Sequence, residues 1–187
     1  MRSTWLDDEQ TRLILSAMMP ANRLALEVSD ATGLRIDDVL SLPSDLLRRT
    51  QRPYVMDSKT GKRHRIYLPN ELYSRMLSQA GKVWVWPGRT KPLQKHRTRQ
   101  AVYKDMVRAV QIMRRAGHIP PLAHPTPHTM RKRAAVRAYH KGGYDAAQAL
   151  LQHSRSDAMI TMLYALSDRA GSLSSRAGKT GRKRIKK

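Results

Sequence analysis

Cysteine is absent from all 187 residues, which excludes disulfides, thiolate metal sites and a cysteine nucleophile together. Long apolar runs are absent too. No stretch of eighteen apolar residues occurs, so nothing here reads as a membrane-spanning helix. The amino-terminal MRSTWLDDEQ is acidic and carries no apolar segment of the kind a secretory signal needs. These absences together suit a cytoplasmic protein. Acidic residues are scarce: 14 Asp and Glu stand against 36 Lys and Arg, for a formal net charge of +22.

That charge is unevenly spread. Residues 1–45 hold eight acids (Asp7, Asp8, Glu9, Glu27, Asp30, Asp37, Asp38 and Asp45) and four arginines, a net of −4, so the remainder carries +26. A surplus running through foldable sequence as well as a tail is what polyanion binding by counterion release requires. An acidic membrane surface fits less well, because no stretch joins cations to a strongly apolar helix face. Nucleic acid is the expected partner.

The length suits one domain with a core and a tail. Residues 5–19 read as a helix capped by Thr4 or Asp7. A second helix carries Leu24, Leu26, Val28 and Ala31 and stops at Gly33. RIDDVLSL is a short third helix with Ile36, Val39 and Leu40 inward. In YVMDSKTGKRHRIYL the period changes: Arg63, Arg65 and Tyr67 alternate with His64, Ile66 and Leu68 after a Thr60-Gly61 turn, the pattern of a β-hairpin. PNELYSRMLSQA returns to helix, KVWVWPG reads as a short strand, and RTKPLQKHR as a basic loop. A long helix runs from Thr98 to Gly117 with Val102, Met106, Val110 and Met113 in register. After the proline-rich HIPPLAHPTP come three helices, over 127–141, 144–152 and roughly 155–167. Residues 171–187 hold seven cations, no acid and almost nothing apolar, and read as a disordered basic tail. The fold class is mainly α with one small antiparallel β-hairpin.

Two motifs are decoys. The AGKT of the tail lacks a phosphate loop's first glycine, since Leu173 occupies that place. His118, His124 and His128 are irregularly spaced, with no acid beside them, and no metal site is expected.

The constellation that carries chemistry is dispersed. Thr126-Pro127 starts a helix, and His128 and Arg131 share a face in its first turns. A helix start adds free N–H groups and partial positive charge, favourable for a phosphate. Arg35 lies just beyond the Gly33 stop, with Asp38 one turn on to hold its guanidinium. Lys59 sits at the hairpin tip, His153 in a turn, and Tyr164 on the following helix.

In this order the segments resemble the catalytic domain of the tyrosine recombinases, the phage integrase family. The likeness runs through TGLRIDDVL, SKTGKRHRIYLP, the His-x-x-Arg of His128 and Arg131, LLQH, and the tyrosine that follows, over about residues 5 to 168. It implies a catalytic set of Arg35, Lys59, His128, Arg131, His153 and Tyr164, with Asp38 in support. Lys62, three residues beyond Lys59, is the rival general acid. Tyr139 and Tyr144 both precede His153. Arg63 and Arg65 on the hairpin, Arg97 and Arg99, and Lys132 and Arg133 beside the His128 box, together with Lys62, are expected DNA contacts. The implied activity is site-specific cleavage and rejoining of double-stranded DNA through a 3′-phosphotyrosyl intermediate, with self-association on DNA and no cofactor or membrane. Residues 1–170 would form the catalytic domain and 171–187 the tail, in a protein of bacterial, phage or mobile-element origin. Two departures bear on this. His153 and Tyr164 are eleven residues apart where the family pattern has nine, and Arg35 comes too early to leave room for the DNA-clasping domain of most relatives. A non-catalytic DNA-binding regulator with the same fold, and a type IB topoisomerase, are the alternative readings.

Overall fold

The computed structural model describes residues 4–151. His153, Tyr164, the expected helix over 155–167 and the basic tail lie outside the described residues. Within them the chain forms α1 (Asp8–Ser16), α2 (Pro20–Thr32), α3 (Ile36–Leu40), α4 (Ser44–Arg49), β1 (Tyr54–Met56), β2 (Arg63–Arg65), α5 (Asn70–Gln79), α6 (Arg99–Arg115) and α7 (Pro127–Leu151). The strands pair antiparallel as a hairpin, with Tyr54 opposite Arg65 and Met56 opposite Arg63. The architecture is mainly helical with one small sheet, as expected.

Local chemistry sets most boundaries. Asp7, not Thr4, caps α1 in a reciprocal box: its carboxylate accepts from Gln10 N at 2.7 Å while Gln10 Oε1 accepts from Asp7 N at 3.3 Å. Thr4 instead ties the chain start to the connector before α7, where its hydroxyl accepts from His124 N at 2.8 Å. Pro20 opens α2, and Gly33, at φ 73°, closes it by donating to Ser29 O. Thr98 caps α6 by accepting from Ala101 N. Gly142 and Gly143 leave helical geometry inside α7, so its two arms match the expected helices starting at 127 and 144, the second followed as far as Leu151.

The core forms around α2, which packs on α7, α3, α5 and α6. Leu24, Leu26 and Val28 are buried as expected, while Ala31 faces solvent. Val102, Met106 and Val110 line the inner side of α6. Trp86 is fully buried with its indole N–H donating to Ala21 O at 2.9 Å.

Two elements differ from the sequence expectation. KVWVWPG is not a strand: Trp84 bridges Pro43 and Pro87 bridges His96, each as an isolated pair. Proline has no N–H to extend a ladder, and one sits in each bridge. The turn-and-a-half of α4 was not legible as a helix, being too short for a periodic signal.

Candidate active site

Arg35 leaves the Gly33 stop as the residue capping α3, and its guanidinium pairs with the Asp57 carboxylate. This corrects the expectation for Asp38. Asp38 is buried at 2% exposure and accepts from Ser58 N at 3.1 Å, so it anchors hairpin backbone instead of the arginine. The α3 turn directs the Asp38 carboxylate at the strand end, and Asp57 reaches Arg35 across the chain.

Asp57 does more than pair. Its other oxygen accepts from Lys59 N at 3.0 Å and Thr60 N at 2.9 Å, and its backbone N–H donates to Lys62 O at 2.9 Å. It therefore shapes the turn carrying Lys59 and fixes that turn to Arg35. Burial raises the Asp57 pKa, but the Thr60 hydrogen bonds, the Arg35 charge and the Lys59 N–H outweigh it and leave it below the ordinary carboxylate value. The residue was missed from sequence. The signal was the Asp-Ser-Lys-Thr run, an aspartate able to accept from N–H groups two and three residues on.

Arg131 enters from α7 and is buried at 3% exposure. Its guanidinium donates to Gly33 O at 2.6 Å and Leu151 O at 2.7 Å, locking the α2 stop to the end of α7. Burial first, and the Arg35 charge next, push its pKa down to about 10 against the pull of Asp57 and Asp38. A cation held this way gains when an anion arrives.

That anion has a place to sit. Arg35, Arg99, His128 and Arg131 line one cleft of about 350 Å³, with Asp37 as its carboxylate and Tyr103 among its walls. Arg99 lies 3.5 Å from Asp37 at the mouth. His128 is exposed in the first turn of α7, where helix N–H groups add to the positive field. Planar guanidinium forks match phosphate oxygens, so the cleft fits a phosphodiester.

His64 was also missed. It occupies the inward face of β2, half-buried, opposite Val55, and neither ring nitrogen has a hydrogen-bond partner among the described residues. Burial holds its pKa below the ordinary histidine value, with Arg131 acting in the same direction and Asp57 and Asp38 against it. The alternation of the strand shows it as the polar member of an otherwise apolar face.

Three expected DNA contacts are partly or fully buried. Arg133 is 6% exposed and donates to Leu6 O at 2.8 Å, Asp8 at 2.6 Å and Asp30 at 3.2 Å, which makes it a strut between α7 and the chain start. Lys132 is buried as well, at 7% exposure. Arg97 is half-buried and donates to Asn22 Oδ1 at 2.8 Å, bracing the loop before α6 against α2. Lys59, Lys62, Arg63, Arg65 and Arg99 are exposed, as a DNA contact must be. His153 and Tyr164 lie outside the described residues, so the structure brings together Arg35, the Lys59 turn, His128 and Arg131.

The sequence profile of the phage integrase family matches residues 4–170. This chain belongs to the phage integrase family. Its fold is shared by integrase structures: a lambda integrase dimer bound to a COC′ core site superposes with a TM-score of 0.70 at 22% identity, covering 87% of this chain and 48% of that one. The XerH site-specific recombinase in a post-cleavage complex with palindromic difH substrate gives 0.63 at 18% identity, over 84% of this chain and 48% of that one. The Tn1549 transposon integrase in complex with circular intermediate DNA gives 0.64 at 18%, over 88% and 61%. This family member thus spans about half the length of the lambda integrase and XerH chains it matches. No curated protein matched in sequence.

Proposed function

We propose that this integrase-family chain is a site-specific DNA recombinase that cuts and rejoins double-stranded DNA through a 3′-phosphotyrosyl intermediate. One observation carries the reading: Arg35, His128 and Arg131 converge on a single cleft, and Asp57 ties the Lys59 turn to the same Arg35. In this scheme the Tyr164 oxygen attacks the phosphorus as its proton leaves, and the bond from phosphorus to the 5′ oxygen breaks. Lys59 supplies the proton that the departing oxygen takes up. Arg35, Arg131 and His128 hold the non-bridging oxygens as charge builds on them, each such donor worth on the order of 10²–10³ in rate. His153 adds a further hydrogen bond to the phosphate. Lys62, Arg63, Arg65 and Arg99 contact the DNA backbone. The catalytic domain is residues 1–170, and the segment 171–187 is a basic tail.

Self-association on DNA belongs to this reading, supported by the neighbouring lambda integrase being a dimer on its core site. So does a cytoplasmic location in a bacterial or phage setting. Among the described residues no helix is long and apolar enough to cross a membrane.

The test is a nicked DNA substrate carrying the protein's own site. After attack the short strand diffuses away, so the ester cannot be reversed and a covalent adduct accumulates. Tyr164→Phe keeps the ring but lacks the hydroxyl, and the adduct is expected to vanish while binding survives. An adduct that persists moves the nucleophile elsewhere, and no adduct from the unaltered chain favours the non-catalytic regulator.

A further inference from the structure

The hairpin has an outer face whose aromatic side chains the catalytic scheme leaves unused. Strand alternation turns Val55, Ile66 and Leu68 into the core and places Arg52, Tyr54, Met56, Arg63, Arg65 and Tyr67 outward. Tyr54 is 53%, Met56 60% and Tyr67 56% exposed. The arginines lie over the tyrosine rings: Arg63 and Arg65 each 5.8 Å from the Tyr54 centroid, Arg52 5.3 Å from that of Tyr67. None of the three arginines has an ion pair among the described residues.

We propose that this outer face is a stacking platform for unpaired bases of a DNA strand beside the cleft. The inference rests on the DNA reading above and adds which form of DNA the face takes. Three guanidinium groups with no ion pair among the described residues, two on β2 and one just before β1, favour a polyanion. Cations alone would protect the exposed strand edges from pairing with other chains, so protection does not account for two half-exposed tyrosines and a methionine among them. A duplex does not account for the rings either, because its bases are stacked inside and it offers mainly phosphate and groove edges. Unpaired bases do, since each presents a π-face to an aromatic ring, and guanidinium groups beside the rings add cation–π attraction. Tyr54 and Tyr67 are diagonal neighbours across the hairpin, about 7–8 Å apart by strand geometry, a separation suited to successive bases of an extended strand. Asp57 fixes the platform's position, because the carboxylate that shapes the hairpin turn also grips Arg35 in the cleft.

The experiment compares binding of the full chain to a fluorescent oligothymidylate and to a duplex of equal length, by anisotropy. The double variant Tyr54→Ala/Tyr67→Ala is expected to lose about tenfold or more on the single strand and less than about twofold on the duplex. Tyr54→Phe/Tyr67→Phe keeps the rings and is expected to bind like the unaltered protein. Arg52→Gln/Arg63→Gln/Arg65→Gln is expected to lose affinity on both DNAs with a shallower salt dependence. Equal losses on both DNAs in the alanine variant, or none, would overturn the platform. Should that variant fail to fold, Tyr54→Leu/Tyr67→Leu keeps apolar bulk without a π-system and must show the same selective loss. An unaltered chain that binds duplex but not oligothymidylate overturns the platform and leaves the DNA reading standing. One that binds neither overturns both.

Discussion

At the scale of single residues, Asp57 joins two parts of the site with one carboxylate. One oxygen meets Arg35 and the other meets the N–H groups of Lys59 and Thr60. Asp57→Asn keeps the oxygen that shapes the turn and removes the charge that holds the arginine. Adduct formation on the nicked substrate is expected to fall about 10²-fold, the cost of a misplaced catalytic group, with duplex affinity little changed. Unchanged cleavage would show that Arg35 is positioned without this pair. The pH behaviour has a definite sign. A carboxylate whose folded pKa lies below its unfolded value stabilises the fold fully above about pH 4, and that stability is lost as pH falls through the folded value. Melting temperatures taken downward from about pH 5 should therefore fall less steeply in Asp57→Asn than in the unaltered protein. Arg131 is the complementary case, a buried cation whose depressed pKa marks a cost that a bound phosphate offsets.

At the scale of elements, the junction of α2 and α7 carries the site. Gly33 stops α2 in left-handed geometry, its carbonyl accepts from Arg131, and a Cβ there would lie 2.8 Å from Leu150 Cγ. Gly143 has nearly the same φ, 71°, with nothing within 4 Å of its would-be Cβ. Its ψ of −160° places it outside the left-handed helical region, in backbone space that only glycine adopts freely, so alanine there should cost about 1–3 kcal/mol from the backbone alone. At Gly33, which is in left-handed helical geometry, crowding against Leu150 adds to a left-handed penalty of about 1–2 kcal/mol, so the expected loss is about 2–3 kcal/mol, a Tm drop of roughly 4–12 °C. A loss at Gly33 no larger than the left-handed penalty alone would mean that Leu150 gives way freely. Junctions of this kind were legible in the sequence because their signals are local: the Gly33 stop, the Thr98 start, the Pro127 start and the alternation from Arg63 to Leu68. What was not legible depends on partners far along the chain. Arg133 reads from sequence as another cation beside His128, and only Asp8 and Asp30, more than a hundred positions earlier, make it a strut. Asp38 stands nearer to Arg35 in sequence than Asp57 does, yet the hairpin fold brings Asp57 to the guanidinium. Residues 83–86 have the composition of a strand, and the prolines opposite and beside them end the ladder.

At the scale of the whole molecule, charge is sorted by use. Acids of the first 45 residues hold folded arginines: Asp8 and Asp30 hold Arg133, Glu27 meets Arg75, and Asp37 faces Arg99. Arginines also line the cleft and stand on the outer side of the hairpin, and residues 171–187 hold seven cations and no acid. Affinity for duplex DNA should therefore fall linearly on a log–log plot against salt, with a slope near −0.9 per phosphate neutralised. If all seven cations of 171–187 touch phosphates, deleting the segment reduces the magnitude of that slope by about 6, and fewer contacts reduce it in proportion. Binding at low salt should survive the deletion, because the arginines of the cleft and hairpin remain. The slope is the quantity to measure, since a loss of affinity alone would not distinguish fewer phosphate contacts from a damaged fold. A truncated chain with no affinity at low salt would mean that the folded part offers no DNA surface of its own, and the cleft would then have to be read as something other than a phosphodiester site.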